Sequence, residues 1–148
     1  MSDNISWLAV SGGVVVAAAA LLCGCAQEPP LTPVQGRVLY DGQPLKFGVV
    51  MFHPSRGQVA QAKINPDGAF NLSTFDASDG VLPGTYRVSV LCYEGHDPSG
   101  SGPREDEGGG VWLGKSLIPL KYTRANSSDL VATIATDGPQ PEIVLNLE

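Results

Sequence analysis

Hydrophobic positions along this chain follow two different patterns. From Asn4 to Gln27 no residue is charged, and Val14 to Leu22 is continuously apolar (VVVAAAALL). Beyond Pro33 the apolar residues come in short runs cut by Gly, Pro, Asn and Asp, none long enough for an amphipathic helix. Strands are expected at Val34–Tyr40, Gly48–His53, Val59–Asn65, Ala69–Thr74, Tyr86–Cys92, Leu130–Ile134 and Glu142–Leu147. Alternation assigns Ala60, Ala62, Ile64, Phe70, Leu72, Tyr86, Val88, Val90, Ile143, Leu145 and Leu147 to the core. It assigns Gln61, Lys63, Asn71, Ser73, Arg87 and Ser89 to the solvent side. Asp41-Gly42 is a hairpin signal, since both residues tolerate positive φ, and Pro66-Asp67-Gly68 is a tight turn. The fold class expected is all-β: a single antiparallel β-sandwich of about seven strands.

The apolar run closes on Leu22-Cys23-Gly24-Cys25. These four residues resemble the lipobox of bacterial lipoproteins, in which a signal peptidase cuts before a cysteine that carries lipid. Cys23 follows bulky Leu22, whereas Cys25 follows small Gly24 with Leu22 three residues upstream, so Cys25 is the expected lipidation site. The leader departs from the usual export signal in carrying Asp3 and no Lys or Arg. The alternative is an uncleaved membrane span, for which Ile5 to Ala26 is just long enough. Either reading puts the rest of the chain outside the cytoplasm. The organisation expected is a signal peptide over 1–24, the lipidated cysteine and a Pro-rich tether over 25–33, and one domain over 34–148. Two or more acyl chains anchor stably where one does not, and a proline-rich tether at about 3.1 Å per residue reaches on the order of 25 Å.

Within the domain, Val34-x-Gly36-x-Val38, Asp41-Gly42-x-Pro44-Leu45, Val50-x-Phe52, Asp67-Gly68-x-Phe70 and Pro83-Gly84-x-Tyr86-x-Val88 occur in that order. The series is similar to the carboxypeptidase-regulatory-like domains, whose fold is a prealbumin-like (transthyretin-like) sandwich. Ile118-Pro119-x-Lys121-Tyr122 and Ser127-Ser128-x-Leu130 resemble a subgroup among small lipoproteins of planctomycete-type bacteria. The shared residues are turn chemistry and core, so the resemblance implies a prealbumin-like or Ig-like fold and hardly any function. Transthyretin-like hydrolases acting on hydroxyisourate carry several active-site histidines and a terminal Tyr-Arg-Gly-Ser. This chain has two histidines and reads Asn146-Leu147-Glu148 there.

Charge and cysteines narrow the options. Fifteen acids against nine bases give a net charge of −6, no electrostatic footprint for nucleic acid. With Cys23 in the leader and Cys25 lipidated, Cys92 would stand alone, ruling out a disulfide framework; it reads as a small buried residue at a strand end. His53, His96 and Cys92 cannot complete a structural zinc site by themselves. No serine lies in a recognisable His–carboxylate pattern, and no Lys-Ser/Thr follows the glycines as in a phosphate loop.

One segment is longer than a connection requires. Tyr93 to Ser116 holds seven glycines, two prolines and the acidic run Glu105-Asp106-Glu107. Loops of this length are functional or disordered, and its first half has the composition of a disordered linker. Trp112 and Leu113 argue that the second half packs back onto the domain. Trp112 and Tyr93 are the candidate binding residues. Glu105, Asp106 and Glu107, with Glu94, His96 and Asp97, offer oxygens suited to calcium without the spacing of a calcium loop. The sequence therefore points to a non-catalytic, monomeric cell-envelope lipoprotein without a cofactor. Its lipid anchor engages the membrane, and the domain binds an envelope protein or glycan. A structural spacer is the alternative, and an enzyme using the long loop the minority one.

Overall fold

The computed structural model describes residues 30–99, 104–105, 111–136 and 138–148. Cys25 and the leader lie outside them. Strand β1 is Gln35–Tyr40, β2 Gln43–Pro44, β3 Val49–Pro54, β4 Ala60–Lys63, β5 Ala69–Asn71 and β6 Gly84–Leu91. Then come β7 Arg104–Glu105, β8 Val111–Trp112, β9 Val131–Ile134 and β10 Ile143–Leu147. Each expected segment overlaps one of these strands, with β3 running one residue past its segment to Pro54 and β6 starting two residues earlier at Gly84; β2, β7 and β8 are two-residue pairings beyond them. Among the described residues no helix is long and apolar enough to cross a membrane.

Two sheets result. The first runs β10-β1-β2, with β5 also paired to β1; the second runs β4-β3-β6-β9. Asp41 and Gly42 both adopt positive φ (48° and 73°) and pair Tyr40 with Gln43 and Leu39 with Pro44. Leu45 still donates to the Val38 carbonyl at 3.0 Å, but the Val38 N–H goes to the Gly68 carbonyl at 2.9 Å, and there the hairpin ends. The chain then crosses to the second sheet, while β5 takes the vacant half of the same β1 edge, pairing Gly36 with Phe70. One pairing departs from the antiparallel expectation: β1 and β10 run parallel, Gly36 beside Ile143 through Tyr40 beside Leu147. Alternation has the same period in either orientation, so the sequence carries no local sign of it.

The sheets close over one core. Of the expected inward residues all are buried except Ile143, which is half-buried. Phe52 on β3 is fully enclosed, its ring 6.1 Å from Phe70 of the opposite sheet and 6.0 Å from Tyr86. The Tyr86 hydroxyl donates to the Leu82 carbonyl at 2.6 Å, so its polar tip is satisfied although the ring is buried. Ser89, expected on the solvent side, is buried instead. His53 Nε2 lies 2.8 Å from its hydroxyl, and the chain returns along β6 as a 3-10 turn, Leu120–Thr123.

That return segment also finishes the β6 edge beyond its pairing with β9. Leu117 donates to the Cys92 carbonyl at 2.8 Å, Val88 donates to the Leu130 carbonyl at 2.9 Å, and the Ser128 hydroxyl donates to the Val88 carbonyl. Tyr122 then ties the segment to the first sheet: its hydroxyl accepts the Glu148 N–H at 2.9 Å and donates to the Glu148 carbonyl at 3.2 Å. Backbone groups that would otherwise template foreign strands are used internally.

Gly36 shows why the first sheet needs a residue without a side chain. A Cβ there would lie 2.3 Å from Phe70 Cζ and 2.5 Å from the Ile143 carbonyl oxygen. The ring covers the glycine, and β10 closes from the other side. Gly36→Ala should lower stability by about 1–3 kcal/mol through overpacking, read as a lower urea midpoint at unchanged slope. An unchanged midpoint would mean that the Phe70 ring is not held against β1.

Candidate functional site

The Tyr93–Ser116 excursion is closed at its base. Tyr93 and Ser116 form an antiparallel bridge. Glu94 donates its N–H to the Lys115 carbonyl at 3.1 Å and Gly95 to that of Leu113 at 2.8 Å, while the Glu94 carboxylate accepts the Lys115 N–H at 3.2 Å. Leu113 is half-buried at this base, in keeping with a second half that folds back. Farther out, Arg104 pairs with Trp112 and Glu105 with Val111 in the β7–β8 ladder. The Trp112 and Glu105 side chains, and all of Asp106 and Glu107, lie outside the described residues. Among those described, no three His, Cys, Asp or Glu side chains gather to hold a metal.

Residues Glu94–His96 form a 3-10 turn. Tyr93 is half-buried behind it, ring edge-on to His96 with centroids 5.7 Å apart. The Tyr93 N–H donates to His96 Nδ1 at 3.3 Å, which leaves the proton of the neutral ring on Nε2. Asp97 is engaged by Ser99, accepting its N–H at 2.8 Å and its hydroxyl at 2.6 Å; these bonds hold the carboxyl below its ordinary range.

Beside this turn lies a cleft of about 360 Å³, built from the approach to β3, the exit of β4 and the turn itself. Phe47, Val49 and Ile64 give it an apolar wall; Lys46, Lys63, Asn65 and His96 supply polar groups. No carboxylate lines it, although it takes two of the four lysines of an acidic chain. Lys63 reaches it because β4 alternates and because Lys63 pairs with Val49 across the sheet. Gly48 permits the tight start of β3: its φ is +129°, and a Cβ would lie 2.5 Å from the Leu91 carbonyl oxygen. Sequence reading missed Lys46 and assigned Lys63 only a solvent face. The usable signal was two cations without an acidic neighbour in a chain rich in acids.

Other chemistry-bearing groups have structural partners. Cys92 is buried, and burial first, the Asp97 charge second, push its thiol up to about 11. It is therefore a poor nucleophile. His53, held to buried Ser89, has its pKa lowered by desolvation. No family model, curated relative or solved structure matches this chain.

The segment before β1 docks near the end of the second sheet where Pro54 faces Tyr86. Thr32 bridges Val81, donating to its carbonyl at 2.7 Å and accepting its N–H at 2.9 Å. The adjoining loop is organised by Asp79, whose carboxylate accepts the N–H groups of Thr74 (2.7 Å), Phe75 (2.8 Å) and Asp76 (2.8 Å). These bonds, that of Asp76 foremost, hold its carboxyl below the ordinary range. The unfolded chain therefore binds the proton more readily near and below about pH 4, and stability rises with pH there. The Asp79 contribution should be complete above that pH and disappear as pH falls through the folded-state value. Denaturant melts of the native chain and of Asp79→Asn should differ at pH 6 and converge toward pH 3; a constant gap would show that the loop does not depend on the ionised carboxylate.

Proposed function

We propose that this chain is a non-catalytic lipoprotein of the bacterial cell envelope, held by lipid on Cys25, whose prealbumin-like sandwich binds an envelope component at the cleft beside the excursion. The observation that carries the reading is the polarity of the domain. Thr32 docks on Val81, near the end of the second sheet where Pro54 faces Tyr86. Lys46, Lys63 and His96 gather at the other end, where Val49 faces Leu91. A strand the length of β3 spans roughly 20 Å, so a domain tethered through Thr32 carries the cleft away from the membrane. An inert buried thiol and a histidine tied to a buried serine agree with binding rather than catalysis.

Two measurements test the two halves of this proposal. Intact mass of the protein from envelopes should correspond to a chain beginning at acylated Cys25; a chain retaining the leader would replace the lipid anchor by a membrane span. Crosslinking from intact envelopes should capture a partner with the full protein and lose it when Tyr93–Ser116 is excised. With a two-glycine turn in its place, the excision links Cys92 to Leu117, which already share a backbone hydrogen bond of 2.8 Å, so the sandwich should persist. Capture of the same partner by both forms would move the site away from the excursion, and no specific capture by either would favour a spacer.

A further inference from the structure

We infer that the cleft beside the 3-10 turn takes a pyranose bearing a carboxylate, an acidic sugar unit. This rests on the binding reading above and names its ligand class. Small-ligand sites are concave, mostly apolar, about 300–1,000 Å³, with a few convergent polar groups. The cleft has that build at about 360 Å³. Its apolar wall of Phe47, Val49 and Ile64 suits the C–H face of a sugar ring, while Asn65 and His96 Nε2–H offer hydrogen bonds to hydroxyls. Lys46 and Lys63 supply positive charge without a competing carboxylate in the lining, although the whole chain carries −6.

The neighbouring acids keep their charge but lie outside the lining, each turned to another partner: Asp97 to Ser99, Glu94 to the Lys115 N–H, and Asp67 to the Ala69 N–H at 3.1 Å. A lone anion would need only the lysines, and a neutral sugar only the wall and amide. The combination fits a ring with one acidic group. Three other recesses among the described residues fit less well. The one between Arg56 and Tyr86 is about 140 Å³, and the one at Gln35 and Gln140 contains the Glu142 carboxylate. The recess at Arg87 and His53 also lacks a carboxylate, but its apolar lining is Pro54 and Ala125, with one arginine in place of two lysines and no aromatic ring.

Calorimetric titration of the full-length lipidated protein in detergent micelles tests this with four probes: glucuronate, galacturonate, glucose and glucose 6-phosphate. Saturable binding of at least one uronate is expected, at least tenfold tighter than glucose and weakening as salt screens the lysines. Lys46→Gln/Lys63→Gln should reduce it about tenfold or more, in line with losing charge-assisted contacts. Both residues are exposed, so the variant should melt like the native protein. Equal binding of glucose, unaltered affinity in the variant, or preference for glucose 6-phosphate over both uronates would overturn the inference. So would silence with every probe; if envelope crosslinking still depended on the excursion, the binding reading would stand and only the ligand class would fall.

Discussion

The structure depends on keeping one aromatic ring dry. Phe52 sits between Phe70 of the facing sheet and Tyr86 of the neighbouring strand, with no exposed surface. Enclosing a side chain of that size contributes about 1.5–3 kcal/mol, and tilted aromatic pairs add to it. Each neighbour sets a further requirement. Phe70 can approach only because Gly36 beneath it has no side chain. Tyr86 can be buried only because Leu82 accepts its hydroxyl proton, which fixes the turn through Pro83 and Gly84. The recurrent glycine, aromatic and Pro-Gly positions of the sequence are thus parts of one packing arrangement.

Strands and core faces were legible because they depend on local alternation: Phe70, Val88 and Leu145 announce their burial by spacing alone. Pairing partners were not. The Asp41-Gly42 hairpin was readable, yet its short reach depends on competition for the same edge, where Gly68 takes the Val38 N–H and β5 pairs beyond it. The parallel alliance of β1 with β10 joins strands about a hundred residues apart, and no local pattern encodes such a pairing. Ser89 failed for a related reason. Its outward register is correct, but the chain returns along β6 as Leu120–Thr123.

The candidate site was legible only in outline. The excursion could be recognised by length and composition, and its limits at Tyr93 and Ser116 coincide with a real bridge. The cleft could not, because its cations come from segments seventeen positions apart that meet only when Lys63 pairs with Val49. Reading charge by segment makes Lys63 a solvated strand residue; reading it by register places it beside Lys46 and His96. Tyr93 was singled out as a binding residue, and the structure puts it where it orients His96 through a backbone hydrogen bond.

The arrangement also bears on how much binding at this place would cost. Ordering a loop or a long side chain on association consumes about 0.5–1.5 kcal/mol for each rotamer-rich group. Two of the three segments forming the cleft are sheet ends already held in register, Val49 against both Lys63 and Leu91. The third, Glu94–His96, is tied by Gly95 to Leu113, by Glu94 to Lys115 and by His96 to Tyr93. Only the Lys46, Lys63 and Asn65 side chains remain to be ordered, since the wall is part of the sandwich. A weak, compact ligand can therefore be held there at a modest ordering cost.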